Sequence, residues 1–443
     1  MTKNTQKHAI SRRRFMQIGG GSAAAILAAA CAPGAGTSAG GGLTVPPADI
    51  KATINIFNFG GAADKVIYDA AYARFKKKYP NVEVVDTFVV IESWGAFTQK
   101  FAAAIAGGQP IDILHIAIEG NHMVCSKNLM RSIEDLMAIP SSAELVDDIA
   151  PALRNSLMYK GKSFLVPDSW NNMCIHYNTK LFKEAGLEPP KEDWTWDDFL
   201  ATAQKLTTGE GNEKIYGFGI PAFNFGLQPW FLTATGSGTL TDDWTKSNLD
   251  HPGSLEAMQF VYDLVYKYKV SPTTEGTDNG QLFAAGKMAM TAAGHWPIQS
   301  YIANNFGDYD VQNWPRKKTA TTVFGVGGWG IPVASKNAGV AWEVIKELAG
   351  LETMQATASA GVAIPARRSV AEGKDFISSP PNGKIFYGCL KDAKPVPSPN
   401  NFAEVEAIFM RHWTSMMSNS VQPTDATAAA HKEISDLMAS AGS

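Results

Sequence analysis

Residues 160–196, KGKSFLVPDSWNNMCIHYNTKLFKEAGLEPPKEDWTW, form the stretch that decides how this chain is organised. Gly161 indicates a tight turn between two short strands, and Pro167 predicts the end of the second strand because proline cannot donate a ladder hydrogen bond. The polar run 168–172 separates Pro167 from the apolar run 173–177. A strand that stops, exposes polar and aromatic groups and then resumes is typical of a chain that crosses between two lobes.

Two helices are expected directly after this crossing. Asn178 is a suitable N-cap for a short helix that ends at Gly186, because glycine tolerates the left-handed conformation there. The prolines at 189–190 then lead to a second helix, in which Thr195 and Asp198 have the spacing of a capping box.

The order of these features resembles the lobe-crossing segment of the extracellular solute-binding proteins of ABC carbohydrate importers, the maltose-binding type. Members of that family share a Gly-Lys, a strand ending in Pro, a polar crossing, Tyr-Asn, Leu-Phe, Ala-Gly, Pro-Pro and a Thr-Trp that opens a helix, in the order found here. The resemblance covers nearly everything after residue 50. It implies an α/β, two-lobe periplasmic-binding-protein fold, in which each lobe is a mixed or parallel sheet flanked by helices and about three crossings form the hinge.

Length and composition agree with a two-domain globular protein. A chain of 443 residues is too long for one compact core, and 45% hydrophobic with 18% charged residues is a globular balance. The net charge of −3 provides no basic footprint for nucleic acid. The predicted first lobe comprises residues 50–167 plus 316–364, and the predicted second lobe comprises residues 168–315 plus 365–443.

Residues 1–31 are expected to be an export signal rather than part of the fold. Residues 11–17, SRRRFMQ, resemble a twin-arginine signal, and the apolar run 18–30 is too short to remain as a membrane-spanning helix. The run ends in LAAAC, which resembles a bacterial lipobox, although Leu27 is one place further from Cys31 than that pattern prefers. A lipid on Cys31 would hold the protein on a membrane. The alternative is an ordinary signal cleaved just before an unmodified cysteine.

The rest of the chain shows a linker and a few isolated cysteines. Residues 32–49 are rich in Gly, Ala, Ser, Thr and Pro, which predicts a flexible tether. Three cysteines follow, so at most one disulfide forms, and their spacing fits no metal site: Cys125, Cys174 and Cys389. They are expected to be small buried apolar residues.

The first lobe is predicted to begin with three parallel strands joined by two helices. Strands are expected at 52–59, 82–90 and 111–116, with helices at 64–79 and 94–106 between them. This alternation implies parallel pairing with right-handed crossovers.

Ligands of such sheets bind beyond the carboxyl ends of the strands, which selects the first candidate site residues. The rule and the family resemblance together indicate Gly61, Trp94, Glu119 and Asn121. The alternative for Glu119 is a solvated loop carboxylate.

The second lobe contributes candidates through the family resemblance. At the place of Gln228-Pro229-Trp230-Phe231, the family begins a cleft helix whose first aromatic lies under the sugar, which indicates Trp230 and Gln228. The alternative is a helix start packed in the core. His295 and Trp296 follow a Gly-Lys, an apolar strand and a Gly, which is an order that the family shares. The resemblance therefore implies that Trp296 lies over the cleft. His295 is either a hydrogen-bond partner of a sugar hydroxyl or a structural histidine.

The glycine-rich run 325–330 fits the G-x-G-x-x-G dinucleotide pattern, but that interpretation is rejected. The fingerprint requires a helix to start at the glycines, whereas a strand-like run with a proline follows here. In the family this strand brings a residue to the cleft, which indicates Trp329. The phrase 361–367 resembles a third crossing, where Arg367 is expected to hold lobe contacts rather than ligand.

The sequence therefore predicts an exported, monomeric binding protein, without metal or cofactor, that delivers a sugar to an ABC permease by hinge closure. Trp170 in the first crossing would stack on the sugar with the other tryptophans, and Asp168 and Asn171 would hydrogen-bond its hydroxyls. The alternative is a secreted glycoside hydrolase, which needs two carboxylates about 5–10 Å apart. A structural lipoprotein is a third class. The sugar remains open, as does a polyol, glycerol phosphate or another solute.

Overall fold

The computed structural model describes residues 45–441. The predicted export signal, Cys31 and most of the predicted tether lie outside the described residues. The strands are β1 (Ala52–Asn58), β2 (Val82–Phe88), β3 (Ile113–Ala117), β4 (Met158–Tyr159), β5 (Lys162–Ser163), β6 (Leu165–Asn172), β7 (Cys174–Asn178), β8 (Met290–Ala293), β9 (Tyr309–Gln312), β10 (Val323–Gly330), β11 (Ile364–Pro365) and β12 (Lys394–Pro395).

The α-helices surround these strands. They are α1 (Ala62–Lys78), α2 (Trp94–Ala106), α3 (Ile118–Ser126), α4 (Glu134–Met137), α5 (Ala143–Asp147), α6 (Pro151–Ser156), α7 (Thr179–Glu184), α8 (Trp196–Leu206), α9 (Asn224–Thr235), α10 (Pro252–Tyr266), α11 (Asn279–Ala284), α12 (Ile298–Ala303), α13 (Ala338–Leu348), α14 (Leu351–Ser359), α15 (Arg368–Ala371), α16 (Lys374–Ile377), α17 (Lys384–Gly388), α18 (Phe402–Met417) and α19 (Pro423–Ala441).

Two sheets form the centres of the two lobes. The larger sheet has the strand order β11-β6-β10-β3-β1-β2, with β12 paired to β10, and the smaller sheet has the order β8-β7-β9. β1 pairs in parallel with β2 and with β3, so the predicted parallel start of the first lobe is confirmed. β10 is antiparallel to β3 and β6, which makes the larger sheet mixed.

The helix-start signals of the sequence act as predicted. The Asn178 side chain accepts a hydrogen bond from the Leu181 N–H at 3.0 Å, and Thr195 and Asp198 form a reciprocal capping box. Each cap satisfies a backbone donor that has no partner within the first turn of its helix. These caps fix where the chain leaves β7 and where α8 begins.

The first crossing lies later in the chain than the proline predicts. β6 continues through Pro167 to Asn172, and β7 begins at Cys174, so only Met173 separates the two sheets. The predicted strand end at Pro167 is wrong because the pairing of β6 with β10 shifts register between Val326 and Gly328, opposite Pro167. A β-bulge tolerates a residue that cannot donate to the ladder. The proposed lobe boundaries as a whole remain a prediction.

Other expectations from the sequence are met within the described residues. The run 325–330 lies inside β10, so the rejection of a dinucleotide-binding turn is confirmed. Cys125, Cys174 and Cys389 are free thiols. Of the helices between residues 45 and 441, none is long and apolar enough to cross a membrane.

Candidate functional site

The carboxyl edge of the larger sheet carries aromatic and polar groups from several loops. Phe59 follows β1, and its ring meets the Trp94 ring at the start of α2 edge-on, with centroids 5.0 Å apart. Both side chains are half-buried. Gly61 lies at the exposed start of α1, where its N–H donates to Asp64 at 2.7 Å. The strand-end rule therefore brings two of its predicted loops together at this edge.

Helix α18 joins this edge from the C-terminal part of the chain. A Cβ added at Gly95 in α2 would lie 2.7 Å from the Cβ of Ala403, so only glycine allows α18 to approach this closely. Ala403 and Glu406 are three residues apart and share one face of α18. Further along, Phe409 of α18 meets Phe231 of α9 with ring centroids 5.6 Å apart. The helix therefore contacts elements of both lobes.

Helices α18 and α3 are in contact, and each carries a glutamate that is buried or half-buried. Glu119, in the first turn of α3, is 7% exposed, and its Oε2 has no hydrogen-bond partner. Burial, together with the charge of Glu406, raises the pKa of Glu119 to about 7. Burial likewise raises the pKa of Glu406 to about 7. The alternative of a solvated loop carboxylate for Glu119 is wrong, because the residue lies in the first turn of α3 and is buried.

Aromatic side chains of the second lobe lie opposite this pair. A Cβ at Gly325 of β10 would lie 3.1 Å from the Phe225 ring and 3.7 Å from a carboxylate oxygen of Glu119. The Phe225 ring is 6.4 Å from that of Trp296, which in turn meets Phe223 at 6.2 Å. Trp296 is 38% exposed and Phe223 is 41% exposed, which is unusual for large apolar side chains.

Asn171 holds the Trp296 loop against the crossing strands. Its side-chain oxygen accepts a hydrogen bond from the His295 N–H at 2.9 Å, and its backbone pairs with Gly325. We call the set that surrounds Gly325 the cleft cluster: Glu119, Asn171, Phe225, Gly325, Trp296 and Glu406. A cavity of about 240 Å³ adjoins it and is lined by Phe223, Asn279, Thr291 and Trp296, among others.

Trp230, the strongest candidate from the sequence, is instead a core residue. It is fully buried, and its ring packs against those of Trp196 at 5.2 Å and Trp314 at 4.8 Å. Helix α9 begins at Asn224, before the proline that the sequence suggests as its first turn. The earlier start places Phe223 and Phe225 at the helix N-terminus and turns Trp230 into the second lobe. Trp230 therefore offers no surface to a solute in this structure.

Trp329 and Asp168 belong to a buried layer of the first lobe. The Trp329 ring stacks on His115 with centroids 3.8 Å apart, and Phe59 stacks on the other face of His115 at 4.2 Å. His115 Nε2 lies 3.1 Å from a carboxylate oxygen of Asp168. Asp168 is 1% exposed, so this carboxylate interacts with groups inside the lobe and is not accessible to a solute in this structure.

The other sequence candidates are also engaged within the protein. Trp170 packs edge-on against Phe324 and Tyr387, and is 1% exposed. Gln228 donates to Asn224 at 2.7 Å and accepts from the Thr239 N–H at 3.0 Å. Asn121 donates to the Leu157 carbonyl at 2.9 Å. Buried amides that are satisfied in this way hold loops in place and are not free to bind a hydroxyl.

His295 and Arg367 link segments of the chain. The His295 ring stacks on Phe376, and burial lowers its pKa to about 3, so the imidazole is neutral. Arg367 donates to Asp148 at 2.7 Å and to Glu144 at 2.8 Å. Burial raises the pKa of Asp148, but hydrogen bonds from Ser369 and Arg367 outweigh it and leave that pKa below its ordinary value. These contacts agree with a structural role for Arg367.

The sequence therefore identified some members of the cleft cluster and missed others. Glu119, Asn171 and Trp296 were expected, and the structure brings them together around Gly325. Phe225 and Glu406 were not expected. The aromatic pair at 223 and 225 ahead of α9 was a usable signal, but Glu406 sits about 290 residues from Glu119 and has no local motif.

The fold and the family of the chain agree. The family model of bacterial extracellular solute-binding proteins matches residues 70–383, which is well over half of the chain. The chain belongs to this family. Its members are exported solute-binding proteins, as the two-lobe structure suggests.

Solved structures resemble this solute-binding protein over most of its length. An ABC substrate-binding protein of Listeria monocytogenes in complex with cycloalternan has a TM-score of 0.79 at 20% identity, with 88% of this chain and 100% of that chain covered. A solute-binding protein of Thermotoga lettingae bound with α-D-tagatose has a TM-score of 0.76 at 23% identity, with 88% and 100% covered. These likenesses confirm the two-lobe α/β fold.

Relatives by sequence are more distant and partial. A probable ABC transporter-binding protein of Deinococcus radiodurans is 26% identical over 64% of this chain and 66% of its own length. A maltotriose-binding protein of Pyrococcus abyssi is 24% identical over 48% of this chain and 44% of its own length. The matches thus span at most about two thirds of these relatives.

Replacement of the two second-lobe tryptophans should lower stability by very different amounts. Trp230→Ala should lower the free energy of unfolding by about 4 kcal/mol, because it empties a filled aromatic core. Trp296→Ala should cost less than about 1 kcal/mol, because the ring is partly solvated. Urea denaturation followed by circular dichroism measures both changes. Equal losses would contradict the assignment of Trp230 to the core.

Replacement of Arg367 should affect stability rather than binding. Arg367→Met should cost about 3 kcal/mol, because it leaves the largely buried Asp148 carboxylate without its cation. The neighbouring Arg368 is exposed, so Arg368→Met should stay within about 0.5 kcal/mol of the native protein in the same denaturation assay. A stable Arg367→Met protein would show that the ion pair does not hold this segment.

The acidic pair predicts a pH dependence of stability. The folded-state pKa of Glu119 and of Glu406 is about 7, above the ordinary value of 4.5. Between pH 4.5 and pH 7 the folded protein therefore keeps two protons that the unfolded chain has released. The stability contributed by the protonated pair is therefore complete below about pH 4.5 and lost as the pH rises through 7. The loss from Glu119 alone is on the order of 3 kcal/mol.

Glu119→Gln should remove that part of the pH dependence. The difference in unfolding free energy between variant and native protein should shift in favour of the variant between pH 5 and pH 8. Comparison with the native protein cancels the opposite effect of buried histidines such as His295. Glu404→Gln, on the exposed face of α18, is the control and should change nothing. A constant difference from pH 5 to pH 8 would refute the assignment.

Proposed function

We propose that this protein captures a carbohydrate outside the cytoplasm and delivers it to the membrane permease of an ABC importer. The observation that carries the proposal is the cleft cluster, where exposed aromatic rings of one lobe lie across from a carboxyl of the other. Aromatic faces pack on the apolar C–H faces of a sugar, and carboxylates and amides bind its hydroxyls. Two relatives named for maltotriose and for arabinooligosaccharide support this class of solute.

Hinge closure is the proposed mechanism. Met173 is the short link between β6 and β7, and residues 313–322 link β9 to β10. A cavity of about 730 Å³ borders both links and is lined by Met173, Trp314 and Thr322, among others. A sugar that contacts both lobes favours the closed state by its differential affinity, and the permease then recognises that state.

The proposal includes the site and the means of attachment. Trp296, Phe225 and Asn171 would contact the sugar together with Glu119, while Trp94 and Gly61 line the first-lobe edge. A lipid on Cys31 would hold the protein, as a monomer, at the outer face of the membrane where the permease operates. The fully buried Trp170, Trp230 and Trp329 are left out of this site.

Binding of a sugar to the purified protein tests the proposal. A bound sugar should raise the free energy of unfolding by about 2.7 kcal/mol at 100 times its dissociation constant. A panel of mono- and oligosaccharides, polyols and glycerol phosphate should therefore give a clear rise of the thermal midpoint with at least one saccharide, without product formation. Release of product would favour the glycoside hydrolase instead, and a response to a polyol or phosphate alone would overturn the sugar assignment.

Variants of the aromatic wall locate the site. Phe225→Ala and Trp296→Ala should each weaken sugar affinity at least tenfold in isothermal titration calorimetry, because each removes a stacking surface. Val333→Ala removes an exposed apolar side chain beyond the opposite end of β10 and should leave affinity unchanged. Unchanged affinity in a folded Trp296→Ala protein would place the sugar elsewhere.

A further inference from the structure

The cleft cluster holds one buried and one half-buried carboxyl, without a cation of the protein paired to either within the described residues. Glu119 is more than nine-tenths buried, and its Oε2 has no hydrogen-bond partner. Glu406, a half-buried carboxyl of α18, is the charged group that raises the pKa of Glu119 in addition to burial. Two like charges in a poorly solvated site oppose ionisation of both groups. A positive charge bound beside them would therefore stabilise their ionised forms.

The secondary-structure elements around the pair do not supply this positive charge. α9 and β10 carry no titratable side chain. Lys100 of α2 is paired with Glu92 at 2.9 Å, and Arg411 and His412 of α18 are paired with Glu433. His122 on α3 approaches the Met158 carbonyl at 3.2 Å, and its pKa is lowered by burial. Within the described residues, the cations and histidines on the elements around the pair thus have other partners.

A solute with an ammonium group would supply the missing charge. Hydroxyl groups of a neutral sugar can donate to a carboxylate, but they leave the repulsion between Glu119 and Glu406 in place. An ammonium donates three hydrogen bonds and cancels that repulsion, and charge-assisted bonds in a dry site are stronger than neutral ones. The Phe225 and Trp296 rings beside the pair also favour a cation over their faces.

We propose that the cleft selects an amino sugar, whose protonated amine is bound between Glu119 and Glu406. The inference rests on the proposed sugar-binding function, and it names the class of sugar and a specificity-determining residue. Glu406 contributes the charge that separates this site from one for a neutral sugar. A site with Glu119 alone would bind an amino sugar or a neutral sugar.

Matched ligands test the inference on the intact protein. Glucosamine oligosaccharides and their N-acetylated forms share one skeleton, but acetylation removes the positive charge. Isothermal titration calorimetry at pH 7, where a large share of both carboxyls is ionised, should show at least tenfold tighter binding of the free amine. Glu406→Gln should lower the ratio of the two affinities at least tenfold, while Glu404→Gln, two residues earlier on the exposed face of α18, should keep the native ratio.

The outcomes separate this inference from the proposed function. Equal or tighter binding of the acetylated or other neutral sugars would overturn the amine site and leave the sugar-binding function standing. Binding of a linear diamine but of no saccharide would overturn the sugar function and support the acidic pair as a cation site, provided that Glu406→Gln abolishes it. A folded protein that binds none of these ligands would overturn the amine site, and it would overturn the sugar function only if the wider saccharide panel also gave no response. A native affinity ratio in Glu406→Gln would remove Glu406 from the site.

Discussion

The antiparallel pairing of β6 with β10 is the constraint on which the rest of the structure depends. Both strands lie in the larger sheet, and both are joined by short links to strands of the smaller sheet. Asn171 faces Gly325 across this pair, so the two crossings leave the sheet side by side. Because the hydrogen-bonded ladder fixes their register, it sets where the two lobes are joined. The Asn171 side chain then places the Trp296 loop beside Gly325.

The absence of a side chain at Gly325 gives this edge its chemical character. Phe225 from one lobe and Glu119 from the other come close enough there that a methyl group would touch both. Helix α18 closes the same space from a distant part of the chain, through the contact of Ala403 with Gly95. Enclosure by several elements desolvates the two carboxyls, which raises the pKa of Glu119 and of Glu406. The close approach of these elements therefore accounts both for the tight packing at this edge and for the raised pKa of the two glutamates.

The aromatic residues show how far local sequence can go. The sequence predicts Trp296 just beyond the end of a strand because an apolar run and a glycine precede it, and in the structure it follows β8 and is partly exposed. Trp230 was placed wrongly because a proline is a common first residue of a helix, yet α9 begins a full turn earlier. The earlier start moves Trp230 from the first turn of the helix into its second turn and leaves Phe223 and Phe225 at the N-terminal end. Boundary errors of this size thus exchange core and site residues.

By itself, the sequence determined the α/β class, the parallel start of the first lobe, the helix caps at Asn178 and Thr195, and the edge of the sheet where Glu119 lies. These features depend on alternation, turn chemistry and strand order, which are local properties. The tertiary structure alone decided that β6 continues past Pro167, that Trp230 packs inward and that the charge of Glu406 acts on Glu119. Each of these outcomes depends on contacts between residues far apart in the chain, where burial rather than local pattern sets the environment of a side chain.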